Sequence, residues 1–210
     1  LEYVQRPAGT RLQEIAVRRQ LKAPLYAYGC KPFAAHPELR DDFRLPEWAQ
    51  DDWCRHLAWR GRVYPHGQPW LLFSGAGARS RLHRDQGATM AWFAQLHGQK
   101  DFILHSPEDR PYLSDGQVDP RQPDGFPLYA KSHPVKLTLG PGELLFLPPD
   151  WYHDVVTQSP SITLTGNLVN HLNFGDYLKF AYGDGLDEVL AALPFPAPPA
   201  QRSGLGGGVP

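Results

Sequence analysis

Cysteine, surplus charge and long apolar runs are all scarce in this sequence, and each scarcity removes a class of protein. Its 210 residues hold two cysteines, Cys30 and Cys54. Two are too few for a disulfide framework, and they do not form the Cys-x-x-Cys pair of a thiolate metal site. A reducing compartment, and with it a cytoplasmic location, is the expectation. Lys and Arg total 21 against 22 Asp and Glu, for a net charge of −1. No basic surplus advertises nucleic acid, although a local patch stays open. No apolar run approaches the ~18–20 residues of a membrane-spanning helix, and no basic-then-apolar leader opens the chain. The chain starts at Leu1 rather than Met, which suggests trimmed upstream residues.

Apolar residues are plentiful instead. With 41% hydrophobic residues and six Trp, a chain of this length can bury a sizeable core as one domain. That domain is assigned to residues 1–193. The Pro-, Ala- and Gly-rich stretch 194–210 reads as a disordered tail. A helical spacing runs from Thr10 to Leu21, with Thr10 as a cap. A short strand is expected at Leu25–Tyr28, and a helix opens at Pro46-Glu47 and runs to about Trp59. From Trp70 onward the texture changes. Trp70–Ser74, Met90–Leu96, Asp101–His105, Val135–Leu139, Glu143–Leu147, Asp154–Thr157 and Ile162–Val169 are short β-rich runs separated by Gly, Pro and polar turns. They predict a mainly β sandwich or barrel with N-terminal helices added. Residues 106–134 form a long Pro/Asp/Gly loop, a length usual for binding loops or lids. Asp184–Leu193 is the predicted last helix.

One short pattern carries chemistry. His83 and Asp85 form a His-x-Asp pair, and side chains two apart on an extended chain share a face. His153 follows a second apolar run and can complete a set of two imidazoles and one carboxylate. That donor mix suits a non-haem Fe(II) centre with coordination positions left open. The pair alone is weak, because a surface His beside an Asp is common. Lys100 strengthens the reading. It opens an apolar strand, and an inward-facing lysine needs an anionic partner, which a ligand carboxylate would provide.

Several blocks then agree in order and spacing with a known family. Pro69-Trp-Leu-Leu-Phe-Ser-Gly leads to His83-Arg-Asp85, and Trp92-Phe-Ala-Gln-Leu-His-Gly-Gln-Lys100 follows. Gly140-Pro-Gly-Glu-Leu-Leu-Phe-Leu-Pro, Trp151-Tyr-His153 and Ile162-Thr-Leu-Thr-Gly-Asn167 complete the set. The sequence resembles the JmjC, cupin-like Fe(II)/2-oxoglutarate oxygenases, and within them the factor-inhibiting-HIF-like subgroup. The resemblance implies a double-stranded β-helix (jelly-roll) core with N-terminal helices and a short C-terminal helix. It implies His83, Asp85 and His153 as iron ligands, with 2-oxoglutarate and O2 as co-substrates. Lys100 matches the residue that pairs with the far carboxylate of 2-oxoglutarate, and Ser80 and Tyr26 match hydroxyls at the same end. Asn167 matches an Asn near the metal-binding end of the co-substrate. Residue readings without a ligand remain beside these: Ser80 as a turn residue, Tyr26 as a core aromatic, Asn167 as a bulge. An Asn of the subgroup falls at Ala91, where Thr89 is the partial substitute. Leu168, Val169, Ser114 and Asp115 also depart from the subgroup, which puts asparagine hydroxylation in doubt.

Three functions follow. The first is hydroxylation of a protein or peptide side chain, with demethylation as its variant. The second is oxidation of a small molecule such as a free amino acid. The third is a cupin-like binding protein without catalysis. An apolar lining from Leu72, Trp92, Phe93, Phe102 and Leu104 is expected to exclude water from the site. A homodimer is an open possibility, and no membrane partner is expected.

Overall fold

Alternation writes the strands. In Trp70–Ser74, residues 70, 72 and 74 are buried while Phe73 is exposed, the period-2 signature of a strand with one covered face. The computed structural model describes residues 24–53 and 69–183. Among them are nine strands: β1 (Tyr26–Cys30), β2 (Trp70–Ser74), β3 (Arg79–His83), β4 (Met90–His97), β5 (Lys100–His105), β6 (Val135–Leu139), β7 (Leu144–Leu147), β8 (Tyr152–Thr157) and β9 (Ser161–Leu168). Three α-helices accompany them: α1 (Pro32–Ala35), α2 (Glu47–Gln50) and α3 (Phe174–Tyr182). None of these helices is long and apolar enough to cross a membrane.

The strands form two antiparallel sheets, one of five strands in the order β1-β2-β9-β4-β7 and one of four in the order β3-β8-β5-β6. The chain changes sheet at nearly every corner from β2 onward, and the two sheets close on one core as a jelly roll. The corners β2–β3, β4–β5, β6–β7 and β8–β9 gather at one end. The corners β3–β4 and β7–β8, which carry His83, Asp85 and His153, gather at the other. At the first end Gly98 has φ +70°, and a Cβ there would sit 2.2 Å from the Pro160 carbonyl oxygen. Only glycine lets these two corners pass so closely.

Between the sheets, Ala91, Phe102, Leu104, Leu139 and Leu147 pack with Phe93, Leu145 and Val155. Trp92 corrects the predicted lining. It lies on the opposite face of β4 and packs with Phe33 and Leu164 beneath the N-terminal segment, so it covers the larger sheet from outside.

Most predicted strands recur within two residues of their expected ends. β3 was not among the β-rich runs, because Arg79-Ser-Arg-Leu-His is too polar to announce a strand. α3 was not expected either. Only Glu47–Gln50 of the helix predicted from Pro46 is α-helical within the described residues. The predicted helices at Thr10–Leu21 and Asp184–Leu193 and the tail 194–210 lie outside them.

The loop 106–134 joins β5 to the neighbouring β6 and contains the 3-10 turns Pro107–Tyr112, Ser114–Gly116 and Pro127–Lys131. Its Leu113, Val118, Phe126 and Tyr129 pack on Leu82 and Tyr152. Charge pins it as well. Arg79 of β3 holds Asp119 with two hydrogen bonds of 2.8 and 2.6 Å and also donates to Asp154 of β8 at 2.8 and 2.6 Å. Arg121 donates to the other Asp154 oxygen at 2.6 Å. The carboxylates raise the Arg79 pKa and Arg79 holds Asp119 below the usual carboxylate range. At the ends of the loop, the buried His105 Nδ1 lies 2.9 Å from Asp109, whose same oxygen accepts the His133 backbone N–H at 2.9 Å. His105 is thus a satisfied core histidine. The loop covers the outer face of the smaller sheet, and next to the ligand-bearing corner its Gly116 faces the Leu82 carbonyl.

Candidate metal centre

His83 and His153 stand directly opposite each other in the β3–β8 ladder. Directly paired residues project to the same face, and here that face is the interior. The ladder is irregular between Ser80 and His83, so β3 bends as it reaches the rim. Asp85 continues the extended path with φ −68° and ψ 148°, and its side chain returns to the His83 side. One ligand atom from each of His83, Asp85 and His153 lies within 4.8 Å of the others. His83 Nε2 is 4.0 Å from Asp85 Oδ1, and the two imidazole centroids are 4.1 Å apart.

The hydrogen bonds around the triad fix which atoms face inward. His83 Nδ1 is 2.7 Å from the Arg81 carbonyl, and His153 Nδ1 is 3.3 Å from the Trp151 carbonyl. A carbonyl only accepts, so both Nδ1 atoms carry the proton and both Nε2 lone pairs are free for a metal. Asn167 donates to Asp85 Oδ2 at 2.7 Å and to Thr89 Oγ1 at 2.9 Å. Thr89 in turn donates to the Gln86 carbonyl at 3.2 Å. One Asp85 oxygen is therefore occupied while the other faces the histidines. His153 is buried and its pKa is pushed down to about 4, first by burial and then by His83. It is neutral at pH 7, as a metal ligand must be. His83 is half exposed at the rim. Two imidazole nitrogens and one carboxylate fit a divalent first-row metal with open positions.

The segment after Asp85 is held in an unusual path. Gly87 and Ala88 have φ of +70° and +49°. A Cβ at Gly87 would meet the Tyr177 ring of α3 at 2.9 Å, and Asn173 donates to the Ala88 carbonyl at 2.9 Å. The unexpected helix α3 thus braces the turn that carries Asp85. At the outer rim, Arg84 pairs with Asp150, another residue with positive φ, and links the two ligand-bearing corners.

Four residues from His153 along β8, Thr157 marks the closed end of the interior, opposite Lys100. The strand rise places the two ends about 13 Å apart. Lys100 is 2% exposed and makes no ion pair among the described residues. Burial pulls its pKa down to about 8. Its Nζ lies 5.5 Å from the centroid of the Tyr26 ring, which the family resemblance implies at the same end. Ser80 is opposite Val155 on the interior side of β3. Ala91 is opposite Asn167. Thr89 is turned toward Asn167 and the Asp85 side chain. The fold therefore brings the triad, Asn167 and Thr89 to one end of the interior, and Lys100 and Tyr26 to the other. Nothing local in the chain singles out Thr157, Ser74 and Ser161, because isolated hydroxyl residues on strands are common.

Comparison with known proteins places the chain in a family. A family model described as a cupin-like domain matches residues 2–170. The chain is 32% identical over 167 residues to lysine-specific demethylase JMJ21 of Arabidopsis thaliana, covering 72% of this chain and 17% of the relative. It is 28% identical over 167 residues to the bifunctional arginine demethylase and lysyl-hydroxylase psr-1 of Caenorhabditis elegans, covering 69% and 40%. Over 159 residues it is 26% identical to the human 2-oxoglutarate and iron-dependent oxygenase JMJD4, covering 68% and 36%. The chain spans well under half the length of each of these relatives. With the model covering most of its residues and a jelly-roll core in place, the chain belongs to the cupin-like domain family, and the relatives it resembles include JmjC-type and iron- and 2-oxoglutarate-dependent oxygenases.

Proposed function

We propose that this chain is an Fe(II)- and 2-oxoglutarate-dependent dioxygenase that hydroxylates a C–H bond on a protein or peptide side chain. The observation that carries the reading is the pairing of two features in one barrel: a His-Asp-His set at one end and, at the other, a buried lysine with no ion pair among the described residues. His83, Asp85 and His153 hold the iron. Lys100 pairs with the far carboxylate of 2-oxoglutarate, a point charge on a long stem suited to a carboxylate at the bottom of a barrel. Tyr26 and Ser80 border that end, while Asn167 and Thr89 fix Asp85. When bound, iron, 2-oxoglutarate and O2 supply an oxidant that converts C–H to C–OH, with succinate and carbon dioxide as co-products.

The chain's own residues orient and shield. The Nδ1 hydrogen bonds hold both imidazoles in one tautomer, and Asn167 leaves one Asp85 oxygen free. Phe93, Phe102 and Leu104 line the interior between the two ends and keep water from the reacting atoms. A protein substrate fits a triad that reaches the surface at the half-exposed His83 rather than a sealed cavity. It also fits relatives named as a lysyl-hydroxylase and as demethylases. Demethylation begins with the same hydroxylation on an N-methyl carbon, so both outcomes need one site. The test is succinate release with Fe(II), 2-oxoglutarate and O2, followed by mass spectrometry for a one-oxygen gain in candidate peptides. His83→Ala should abolish iron binding and turnover. Unchanged iron affinity in that variant would refute the ligand set. Release of succinate without any modified peptide, but with a modified amino acid, would favour the small-molecule reading.

A further inference from the structure

We infer that Asp51, Trp53, His171 and Phe174 form a second binding site, at the metal end of the barrel, for a cationic side chain (an alkylammonium or a guanidinium) of the protein substrate. Its role toward substrate rests on the proposed function, whereas the binding itself does not. The four residues come from two segments that the fold ties together. The Trp53 backbone N–H donates to the Val169 carbonyl at 2.7 Å, and the Asp52 carboxylate accepts the Val169 N–H at 3.4 Å. Val169 directly follows β9, and the turn after it is fixed by two buried asparagines. Asn170 Oδ1 accepts the Leu172 N–H at 3.0 Å, and Asn173 Oδ1 accepts the Asn170 N–H at 2.9 Å. Asn173 Nδ2 donates to the Leu168 carbonyl at 3.1 Å and to the Ala88 carbonyl at 2.9 Å. The turn is therefore fastened to the corner that carries Asp85, and its framework is built before any ligand arrives.

This framework presents rings and a charge outward. Between the two buried asparagines, the His171 side chain is 64% exposed and Leu172 is 71% exposed. Trp53 and Phe174 are half-buried. The Trp53 ring meets the Phe174 ring in a T-shaped pair with centroids 5.0 Å apart, and its centroid is 6.5 Å from that of His171. Trp53 Nε1 donates to Asp51 Oδ1 at 3.0 Å, which fixes the indole plane beside a carboxylate. Asp51 Oδ2 is 3.9 Å from His171 Nδ1, too far for a hydrogen bond. No lysine or arginine pairs with Asp51 among the described residues. Aromatic rings beside a carboxylate with one oxygen open to solvent attract an organic cation, the rings through cation–π attraction and the carboxylate through its charge. An apolar occupant would cover Asp51 without pairing it, and an anionic one would be repelled. The positive end of α3 is offset by Asp176 in its first turn. A peptide with its reacting residue at the iron sets a lysine or arginine, at one fixed distance along its chain, against this site.

The test is an NMR titration of the full chain without iron or 2-oxoglutarate, so it does not depend on turnover. The Trp53 indole N–H resonance is identified by its loss in Trp53→Phe. Nα-acetyl-lysine methylamide and its Nε-trimethyl form are compared with Nα-acetyl-norleucine methylamide, which has a similar chain without the charge. Both cations should shift that resonance saturably, and the norleucine compound should not. Asp51→Asn keeps an oxygen for the indole proton and removes the charge. It should weaken both cations about two- to fivefold. No saturable shift, an equal shift by the norleucine compound, or an unchanged affinity in Asp51→Asn would overturn the site. Mass spectrometry of a peptide library, with iron and 2-oxoglutarate present, reads the role toward substrate. Modified peptides should be enriched in lysine or arginine at one offset, and the enrichment should fall in Asp51→Asn. Modified peptides without that preference would overturn the role. If no peptide is modified at all, the proposed function fails instead, and the titration alone decides the cation site.

Discussion

Replacing Lys100 by Met should stabilise the unliganded protein while removing its response to 2-oxoglutarate. Burial lowers the Lys100 pKa from 10.5 to about 8. The unfolded chain therefore binds more protons than the folded one between those values, and stability rises with pH across that window. Below about pH 8 the full cost of holding a buried ammonium is present. At about 1.4 kcal/mol per pKa unit, that cost is on the order of 3 kcal/mol. Met keeps most of the stem and removes the charge. The melting temperature of the metal-loaded variant should rise by roughly 2–4 °C per kcal/mol recovered. A carboxylate paired with Lys100 offsets the same cost, so 2-oxoglutarate should raise the melting temperature of wild type and not of Lys100→Met. The pH dependence has a definite sign. The complex keeps its proton above pH 8 and the free protein does not, so the Kd for 2-oxoglutarate should be flat below about pH 8 and climb by up to tenfold per unit above it. Differential scanning fluorimetry and calorimetry with Mn(II) read both effects. A variant less stable than wild type without ligand, or a wild-type Kd that stays flat to about pH 9.5, would refute this account of the lysine.

Other perturbations probe other parts of the same frame. Gly87→Ala forces a Cβ to 2.9 Å from Tyr177 at φ +70°, and should cost about 1–3 kcal/mol and weaken metal affinity, read by urea unfolding and metal titration. Asn167→Ala frees the second Asp85 oxygen and should lower metal affinity about tenfold, with secondary structure by circular dichroism unchanged. Asp154→Ala leaves Arg79 and Arg121 facing a carboxylate that is gone. It should destabilise by about 3–5 kcal/mol, and proteolysis should then begin within residues 106–134, the segment these ion pairs pin.

Much of this protein is determined by its sequence alone, for local reasons. The short apolar run Trp70–Phe73 between turn residues and the alternation in Val135–Leu139 mark strands for local reasons, because such runs must cover at least one face. His83-Arg-Asp85, Lys100 and His153 name their chemistry because few other roles suit those residue types on an apolar background. What depends on distant partners was not legible. β3 is polar at four of its five positions and is a strand because β8 pairs with it. Trp92 reads as a lining residue until the register turns it outward onto Phe33 and Leu164. The bracing of the Asp85 turn by α3 joins residues about ninety apart in the chain. A hydroxyl path from Gln95 to Thr157 runs through Ser161 and Ser74 on other strands. The sequence names the side chains that can hold a metal and an anion. Only the closure of the two sheets sets the ends of the barrel where they meet, because register and sheet crossing, not local propensity, fix which side chains share an interior.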